Sequence, residues 1–250
     1  MKTVKYIPET PETAICEKHG EYTFGYCEIM EGKVWVHDNC GKCAEEAEEK
    51  RLIEEAEQEA IKTAKASEAR RIDAGISKRN LHKTFDDYIC TNEGQAKAKA
   101  DCTRYFGNLS DRSMLMVGGV GTGKTLLASA GIDSIIDKKR CEIIKVIDVI
   151  RELKATWGRD SDTTEEKLIK YYSGLDLLVL DEVGSQFGSD TEKLFIFDII
   201  DGRYQNMKPT VLISNLDING IKDAIGERCV DRLREGGGMM IAFDWSSQRN

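Results

Sequence analysis

Short apolar segments alternate with longer amphipathic ones from Phe85 to the end of the chain. Five apolar segments stand out: SMLMV (113–117), IIKVI (143–147), LDLLVLD (175–181), TVLIS (210–214) and MMIAF (239–243). Runs of this length without polar alternation are typical of strands that are buried on both faces. The intervals between them are long enough for helical crossovers, so the pattern predicts an α/β fold with a parallel five-stranded sheet.

Residues 44–71 have a different pattern, AEEAEEKRLIEEAEQEAIKTAKASEARR, without Gly or Pro. Ala, Glu and Lys are strong helix formers, so this segment predicts one long charged helix. Its larger apolar residues, Leu52, Ile53 and Ile61, are few. This scarcity favours a solvated connecting arm, with a partner-binding helix as the alternative. The helix is expected to end at DAGISKRN (73–80).

Composition narrows the class of protein. The 250 residues are 40% apolar and 32% charged, as in globular proteins, with a net charge of −8. No apolar run approaches the length of a membrane span, and MKTVKYIPETPET lacks the apolar core of a signal peptide, so we expect a cytoplasmic protein. Residues 1–70 hold 10 Lys and Arg against 16 Asp and Glu, and residues 71–250 hold 26 against 28. Any contact with nucleic acid must therefore be local.

A phosphate-binding loop is predicted at GGVGTGKT (118–125), which fits G-x-x-x-x-G-K-[ST] between the strand SMLMV and the helix TLLASAGIDSII. Glycines allow the loop to turn its backbone N–H groups inward, and the helix N-terminus adds positive charge. Lys124 is expected to reach the β- and γ-phosphates of ATP, and the Thr125 hydroxyl to ligate Mg²⁺. The predicted ATP-binding residues are Gly118, Gly119, Val120, Gly121, Thr122, Gly123, Lys124 and Thr125.

LLVLDEVG (177–184) contains an acid pair, Asp181 and Glu182, at the carboxyl end of a predicted strand. Ligands bind at this end of the strands in open parallel sheets. We expect Asp181 to hold Mg²⁺ and Glu182 to act as the base on the attacking water. The strand TVLIS is followed by Asn215, whose amide could orient that water. The alternative is that Asn215 only caps the next helix.

Four of the eight cysteines and two of the three histidines fall between residues 16 and 43. CEKH (16–19) and CGKC (40–43) are two knuckles with the spacing that zinc favours, and Cys16, His19, Cys40 and Cys43 form the simplest tetrahedral set. Cys27 or His37 could replace His19. The residues between the knuckles read as a short hairpin, and a module this small needs a metal to hold it together. Four protein ligands leave no open position, so the predicted zinc is structural.

The remaining cysteines, Cys90, Cys102, Cys141 and Cys229, are isolated and are interpreted as buried or half-buried side chains. GERCVDRL (226–233) places Arg228 and Arg232 four residues apart on one helix face. A surface ladder of ion pairs with Glu227 and Asp231 would explain this spacing, and so would arginines that face an anion.

GGVGTGKT, LLVLDEVG, LISN and GERCVDRLR, followed by IAFDWSSQR, resemble in this order the DnaC-type AAA+ replicative helicase loaders. That group includes the IstB-like transposition helper ATPases. The resemblance covers residues 72–250. It implies an AAA+ P-loop ATPase that associates with itself, because Arg232, or failing it Arg228, would contact the nucleotide of an adjacent subunit. It also implies that Arg249 senses the nucleotide.

The resemblance further implies an insertion at DVIRELKATWGRDSDTTEEKLIKYYSG (148–174) that contacts single-stranded DNA through Lys154, Trp157 or Arg159. A core tryptophan beside two surface cations is the alternative. Some loaders of this kind carry an N-terminal zinc module that binds the helicase, and such a head is common in phage and prophage relatives. The best-studied DnaC branch has a helical N-terminal part without these ligands, which leaves the helicase-binding surface open.

The sequence therefore predicts a zinc-ribbon-like module (1–43), a charged helical arm (44–71) and an AAA+ domain (72–250). The function expected from the resemblance is ATP-dependent loading of a hexameric DnaB-type helicase onto single-stranded DNA during the initiation of replication. An IstB-like transposition helper and a nucleotide-gated adaptor with little hydrolysis are the alternatives.

Overall fold

The computed structural model describes residues 2–158, 161–185 and 189–248. The chain divides into two compact units, Met1–Ala66 and Ser67–Asn250. No helix among the described residues combines the length and the apolar character that crossing a bilayer requires.

The first unit is built from short strands and most of one long helix. The strands are β1 (Lys2–Val4), β2 (Thr13–Cys16), β3 (Gly20–Thr23), β4 (Gly25–Met30) and β5 (Lys33–His37), and the helix is α1 (Gly41–Asp73). β4 and β5 form the predicted hairpin and extend with β1 into a three-stranded antiparallel sheet, while β2 pairs with β3. Among the apolar side chains of this unit, those of Val34, Val36 and Cys40 are buried.

Helix α1 is solvated along its 33 residues and contains no buried residue. Leu52, Ile53 and Ile61 are all exposed. The helix ends at Asp73, where DAGISKRN begins, and its residues from Ser67 onward belong to the second unit. In that unit Arg71 pairs with Asp133 and Arg70 with Asp137.

The second unit alternates helices and strands. Its elements are a 3₁₀ helix (Phe85–Asp87), α2 (Glu93–Gly107), β6 (Met114–Gly118), α3 (Lys124–Ile135), β7 (Cys141–Lys145), α4 (Val146–Ala155), α5 (Glu165–Gly174), β8 (Leu177–Val183), α6 (Asp190–Gln205), β9 (Thr210–Ser214), α7 (Ile218–Ile225), α8 (Glu227–Arg234) and β10 (Met239–Phe243). All strand pairs are parallel, in the order β10-β6-β9-β8-β7. The predicted five-stranded parallel sheet is confirmed.

Helices cover both faces of the central strands β6, β9 and β8, because their alternate residues enter different apolar clusters. Met114 and Met116 belong to one cluster and Leu115 to the other. Val179 and Leu180 separate in the same way. Burial on both faces explains why the strands read as continuous apolar runs. The order of the strands places β9 between β6 and β8, so the carboxyl ends of all three meet at one edge.

The edge strand β10 differs from these central strands. Ile241 and Phe243 are buried but Met240 is exposed. The prediction that this strand is buried on both faces is therefore wrong.

The prediction that the strand IIKVI extends from 143 to 147 is wrong at its C-terminal end. β7 stops at Lys145 and α4 begins at Val146. The buried residues of α4 are Val146, Val149, Ile150 and Leu153, which follow the spacing of one helix face. The apolar run joins a strand to a helix, and periodicity within five residues cannot separate them.

Candidate nucleotide site and metal centre

The phosphate-binding loop connects β6 to α3, as its motif requires. Gly123 precedes the helix with a left-handed φ of +95°, and a Cβ at this position would lie 2.3 Å from the ring of Tyr88. Gly118 has a φ of +140°, and a Cβ there would lie 2.4 Å from the carbonyl oxygen of Phe243. Only glycine therefore fits either position without displacing its neighbours.

Lys124 is buried within the loop at the start of α3. Its Nζ donates to the carbonyl oxygens of Gly118 at 2.7 Å and Gly119 at 2.6 Å, and to Oγ1 of Thr122 at 3.3 Å. The ammonium group therefore lies at the carboxyl end of β6, next to backbone N–H groups that suit an anion.

Thr125 and Asp181 meet across the edge of the sheet. Oγ1 of Thr125 donates to Oδ2 of Asp181 at 2.9 Å. Asp181 is only 6% exposed, and burial raises the pKa of its carboxyl group. A hydroxyl and a carboxylate are the hard oxygen ligands that Mg²⁺ prefers, and a cation would offset the cost of burying this charge. The two residues fit the predicted magnesium site.

Glu182 follows in a strained backbone conformation. Its φ is +56°, in the left-handed region that side chains rarely adopt, and the pairing of β8 with β9 is irregular between Leu180 and Val183. Its carboxylate is half-exposed and lies 3.0 Å from Nζ of Lys145 at the end of β7. The carboxylate of Glu182 therefore pairs with Lys145, whereas that of Asp181 is buried and accepts from Thr125.

Asn215 lies just beyond β9 and is exposed. It does not cap the following helix, since the cap of α7 is Asp217, whose side chain accepts from the backbone N–H of Gly220 at 2.8 Å. The alternative role as a helix cap is therefore wrong for Asn215. Its place between the loop strand and the Asp181 strand fits a residue that faces the nucleotide.

Two aromatic residues that the sequence analysis did not single out donate hydrogen bonds to the backbone of the phosphate-binding loop. Tyr88 Oη and Trp245 Nε1 both donate to the carbonyl oxygen of Thr122, at 3.0 and 3.1 Å. The backbone N–H of Gln248 donates to the carbonyl oxygen of Gly121 at 2.9 Å. These contacts bring segments from both ends of the domain to one loop, which local spacing cannot indicate. Arg249 lies outside the described residues.

The arginines of α8 do not form the ladder that their spacing allows. Glu227 pairs with Lys222 instead, and Arg228 is exposed and makes no ion pair with the described residues. Arg232 pairs with Asp201 of α6 at 3.0 Å and with Glu235 at 3.3 Å. The ladder with Glu227 and Asp231 is wrong, because the carboxylate that holds Arg232 most closely comes from another helix.

The insertion between β7 and β8 forms α4 and α5. Trp157 lies after α4 with 60% of its surface exposed, so it is not a core residue. Its Nε1 donates to Oε2 of Glu165 at 3.0 Å. Lys154 pairs at 2.7 Å with Glu192, whose side chain is 3% exposed. Arg159 lies outside the described residues.

The structure brings together the four predicted zinc ligands of the first unit. The ligand atoms of Cys16, His19, Cys40 and Cys43 all lie within 4.8 Å of one another. Nδ1 of His19 lies 3.8, 3.6 and 3.3 Å from the sulfurs of Cys16, Cys40 and Cys43, and the sulfurs of Cys16 and Cys43 are 3.4 Å apart. A tetrahedral zinc site has edges of about 3.6–3.8 Å, given bonds of ~2.3 Å to sulfur and ~2.1 Å to nitrogen. The residues fit zinc.

Hydrogen bonds around this cluster favour metal ligation. Backbone N–H groups of His19 and Lys18 lower the pKa of the Cys16 thiol to about 6, towards the thiolate that binds zinc. Nε2 of His19 lies 3.0 Å from Oε1 of Glu46, which also pairs with Lys18. A proton held on Nε2 by this carboxylate leaves Nδ1 free to face the thiols.

The other cysteines lie apart from this cluster. Cys27 is exposed, and neither it nor His37 belongs to the cluster found among the described residues. Cys102, Cys141 and Cys229 are buried as predicted. Cys90 is exposed, so its interpretation as a buried or half-buried side chain is wrong.

The sheet order and the position of the phosphate-binding loop define the second unit as an AAA+ type of P-loop ATPase domain. The family described as "IstB-like ATP binding protein" matches residues 29–232. The chain belongs to this DnaC/IstB-like family of AAA+ proteins, so the predicted family is confirmed.

Relatives of the chain bear out this assignment. It is 36% identical over 179 residues to the replicative helicase loader DnaC of Buchnera aphidicola subsp. Baizongia pistaciae, covering 70% of this chain and 73% of the relative. The loader DnaC of Escherichia coli K12 is 35% identical over 182 residues, with 71% and 73% covered. The crystal structure of the DnaC helicase loader superposes with a TM-score of 0.59 at 27% identity, covering 66% of this chain and 99% of that structure.

Proposed function

We propose that this chain is an ATP-dependent loader that places a hexameric replicative helicase of the DnaB type on single-stranded DNA. The observation that carries the proposal is the contact of Thr125 with Asp181 at 2.9 Å beside Lys124. It occurs in a chain whose relatives at 35–36% identity are named replicative helicase loaders.

The residues at the sheet edge suit the hydrolysis of ATP. Lys124 would bind the β- and γ-phosphates, and Thr125 and Asp181 would hold Mg²⁺, which when bound neutralises charge on the phosphates. Glu182 would accept a proton from water as the water oxygen attacks the γ-phosphorus. The bond from that phosphorus to the β–γ bridging oxygen then breaks, giving ADP and inorganic phosphate. Asn215 would orient the water.

Turnover by the isolated chain is expected to be slow. Lys145 lies 3.0 Å from the Glu182 carboxylate, so the base is paired with a cation and must leave it to reach water. The set of cationic side chains that would surround the nucleotide is also incomplete without an adjacent subunit. We infer that Arg232, or in its place Arg228, acts on the nucleotide of an adjacent subunit, which makes hydrolysis depend on assembly.

The first unit would bind structural zinc through Cys16, His19, Cys40 and Cys43, and would bind the helicase. Several apolar side chains of this unit are exposed, including Tyr6, Ile7, Ile15, Ile29 and Met30. Exposed apolar side chains of this size suit a protein partner. The solvated helix α1 would connect this module to the ATPase domain.

Single-stranded DNA would contact the insertion through Trp157. Its exposed indole offers a stacking face that any base can use. Lys154 is the weaker candidate, because DNA would have to draw it from its ion pair with the buried carboxylate of Glu192.

A loading assay tests the proposal. Purified chain is mixed with a DnaB-type helicase and circular single-stranded DNA, with or without ATP, and helicase bound to DNA is measured after gel filtration. We expect loading to require the chain and ATP, and Lys124→Ala to abolish it while Lys138→Ala, a change of a lysine outside the loop, does not. Equal loading by wild type and Lys124→Ala would contradict the proposal.

A transposition helper is the second candidate, since the matching family is described as IstB-like. It would form ATP-dependent filaments on duplex DNA and would not bind a hexameric helicase, so electron microscopy and a pull-down separate the two functions. The Lys145–Glu182 pair favours a third candidate, an adaptor that binds ATP with little hydrolysis. In that case Glu182→Gln would leave release of the helicase unchanged.

A further inference from the structure

Helix α8 carries three arginines, and one of them is fixed in place. Arg228 and Arg234 are exposed and make no ion pair with the described residues. Arg232 is half-buried and is bound on several sides. An unrestrained arginine loses much of its rotamer freedom when it binds an anion. The difference between these side chains therefore bears on which of them can act at a nucleotide.

Two residues of α6 hold Arg232. Its Nε donates to Oδ1 of Asp201 at 3.0 Å, and its guanidinium carbon lies 4.4 Å from the centre of the Tyr204 ring. Asp201 is itself held, because Nε2 of Gln205 donates to its Oδ2 at 2.5 Å. The contact with Glu235 at 3.3 Å is longer, and the Glu235 side chain is exposed, so this contact is the easier one to exchange.

These contacts leave part of the guanidinium available. Asp201 accepts from Nε, Glu235 accepts from Nη1 and the Tyr204 ring lies next to the guanidinium carbon, whereas Nη2 donates to no carboxylate of the described residues. Arg232 and Tyr204 also line an open surface cavity of about 330 Å³, so the guanidinium can be approached from solvent. An arginine that is fixed by one edge and open at another is arranged to bind phosphate oxygens with little further ordering.

We propose that Asp201 and Tyr204 are positioning residues, which hold the Arg232 guanidinium in the orientation that acts on the nucleotide of a neighbouring subunit. Neither residue contacts the reacting atoms. This inference rests on the proposed role of Arg232 in trans, and it adds that α6 of one subunit controls hydrolysis in the next.

A mixed-subunit experiment tests the inference directly. Arg232→Ala subunits keep an intact nucleotide site but supply no arginine finger, that is, no arginine that acts on the nucleotide of the adjacent subunit. Glu182→Gln subunits supply this finger but cannot hydrolyse ATP. Mixing the two variants should restore ATPase activity that neither has alone. With Glu182→Gln, Asp201→Asn subunits in place of the single variant, we expect the restored rate at saturating ATP to fall on the order of 10- to 100-fold, as for a displaced catalytic group.

Several controls separate positioning from folding. Asp198→Asn, one turn earlier on α6, should leave the restored rate unchanged, and Tyr204→Phe should retain more activity than Tyr204→Ala. Nucleotide affinity, the thermal melting temperature and the sedimentation of the mixed assembly should match between the donor variants. Asp201→Glu provides a second variant that retains the charge if Asp201→Asn does not fold.

The outcomes distinguish the two levels of the hypothesis. If Arg232→Ala alone hydrolyses ATP at the wild-type rate, the proposed finger fails, and the inference with it. If Arg232→Ala is inactive but Asp201→Asn donors restore the full rate, the finger stands and the positioning role is overturned. A rate increase with Asp201→Asn donors would also overturn it. A lower restored rate when Asp201→Asn is added to the Arg232→Ala subunit would overturn it as well. If Asp201 acts only by positioning Arg232, it has no effect in a subunit that lacks this arginine.

Discussion

The two units of this chain are stabilised by different means. Among the apolar side chains described in Met1–Ala66, those of Val34, Val36 and Cys40 are buried, and Cys40 is also one of the four predicted zinc ligands that converge in this unit. In Ser67–Asn250 two large apolar clusters cover the faces of a five-stranded sheet. A short chain cannot bury enough apolar surface to fold on that basis alone, whereas about 180 residues can. The comparison predicts that one unit depends on metal and the other on packing.

Removing zinc should have the largest effect and should act on the first unit alone. Structural zinc contributes on the order of 10 kcal/mol to folding in small domains, which the two buried valines cannot replace. We expect chelation, or Cys40→Ser, to make residues 2–66 sensitive to protease while the second unit stays resistant, as followed by mass spectrometry of the fragments. Cys27→Ser is the matched control and should retain zinc. An unchanged cleavage pattern after zinc loss would break the comparison.

The second unit should instead be sensitive at Arg203. This arginine is fully buried and donates to Thr210 Oγ1 and to the carbonyl oxygens of Tyr172, Leu175 and Pro209. Burial lowers the pKa of its guanidinium to about 10. Arg203→Met would leave these acceptors without a donor, at a cost of about 1–3 kcal/mol for each one that stays buried.

Urea unfolding of the second unit measures this effect. We expect Arg203→Met to lower its free energy of unfolding by at least about 3 kcal/mol, since several acceptors lose their donor together. The zinc content should not change. Arg104→Met, on the exposed surface of α2, should shift the midpoint little. Equal midpoints for the two variants would show that water or a neighbouring side chain replaces the arginine.

A smaller effect is expected at Glu46, which contacts His19, one of the predicted zinc ligands. Glu46→Gln should lower zinc affinity about 10- to 100-fold, since a carboxylate behind a ligating imidazole fixes its tautomer and orientation. Competition with a colorimetric chelator measures the affinity. Glu45→Gln, beside it on the same exposed helix, should bind zinc like the wild type. If both variants bind zinc equally well, Glu46 is a surface residue only.

The smallest effect is expected in the middle of α1. Ile61 is exposed and no residue of this helix is buried, so Ile61→Gln should change stability by no more than about 0.5 kcal/mol. Thermal unfolding followed by circular dichroism tests this. Ile199→Gln, in the buried core of the second unit, should lower the melting temperature strongly. A large shift for Ile61→Gln would show that the arm packs against something in solution.

Features encoded in short contiguous patterns could be predicted from the sequence. The parallel sheet and the phosphate-binding loop follow from local spacing, and the two CxxH and CxxC knuckles do converge in space. Each of these patterns places its chemistry within a few residues of a turn. The Thr125–Asp181 contact was also expected, because the carboxyl ends of parallel strands share one edge of the sheet.

Features that depend on distant residues could not be predicted. Thr122 is braced by Tyr88 and Trp245, which come from segments before and after the sheet strands that carry the site. The partner of Arg232 proved to be Asp201, 31 residues away, rather than the nearby carboxylates of its own helix. Arg203 has the sequence neighbourhood of a surface cation, and only its contacts with residues 172–175 and 209–210 make it a core residue.

At Glu182 the requirements of the proposed activity and of stability differ. A non-glycine residue at a φ of +56° is held in a conformation that costs about 1–2 kcal/mol. Glycine there would relieve that cost and should stabilise the fold, but it would remove the carboxylate that we propose as the base in hydrolysis. Selection for thermal stability alone should therefore favour glycine at position 182 at the expense of the proposed activity. A stabilised variant that is meant to keep this activity should retain Glu182.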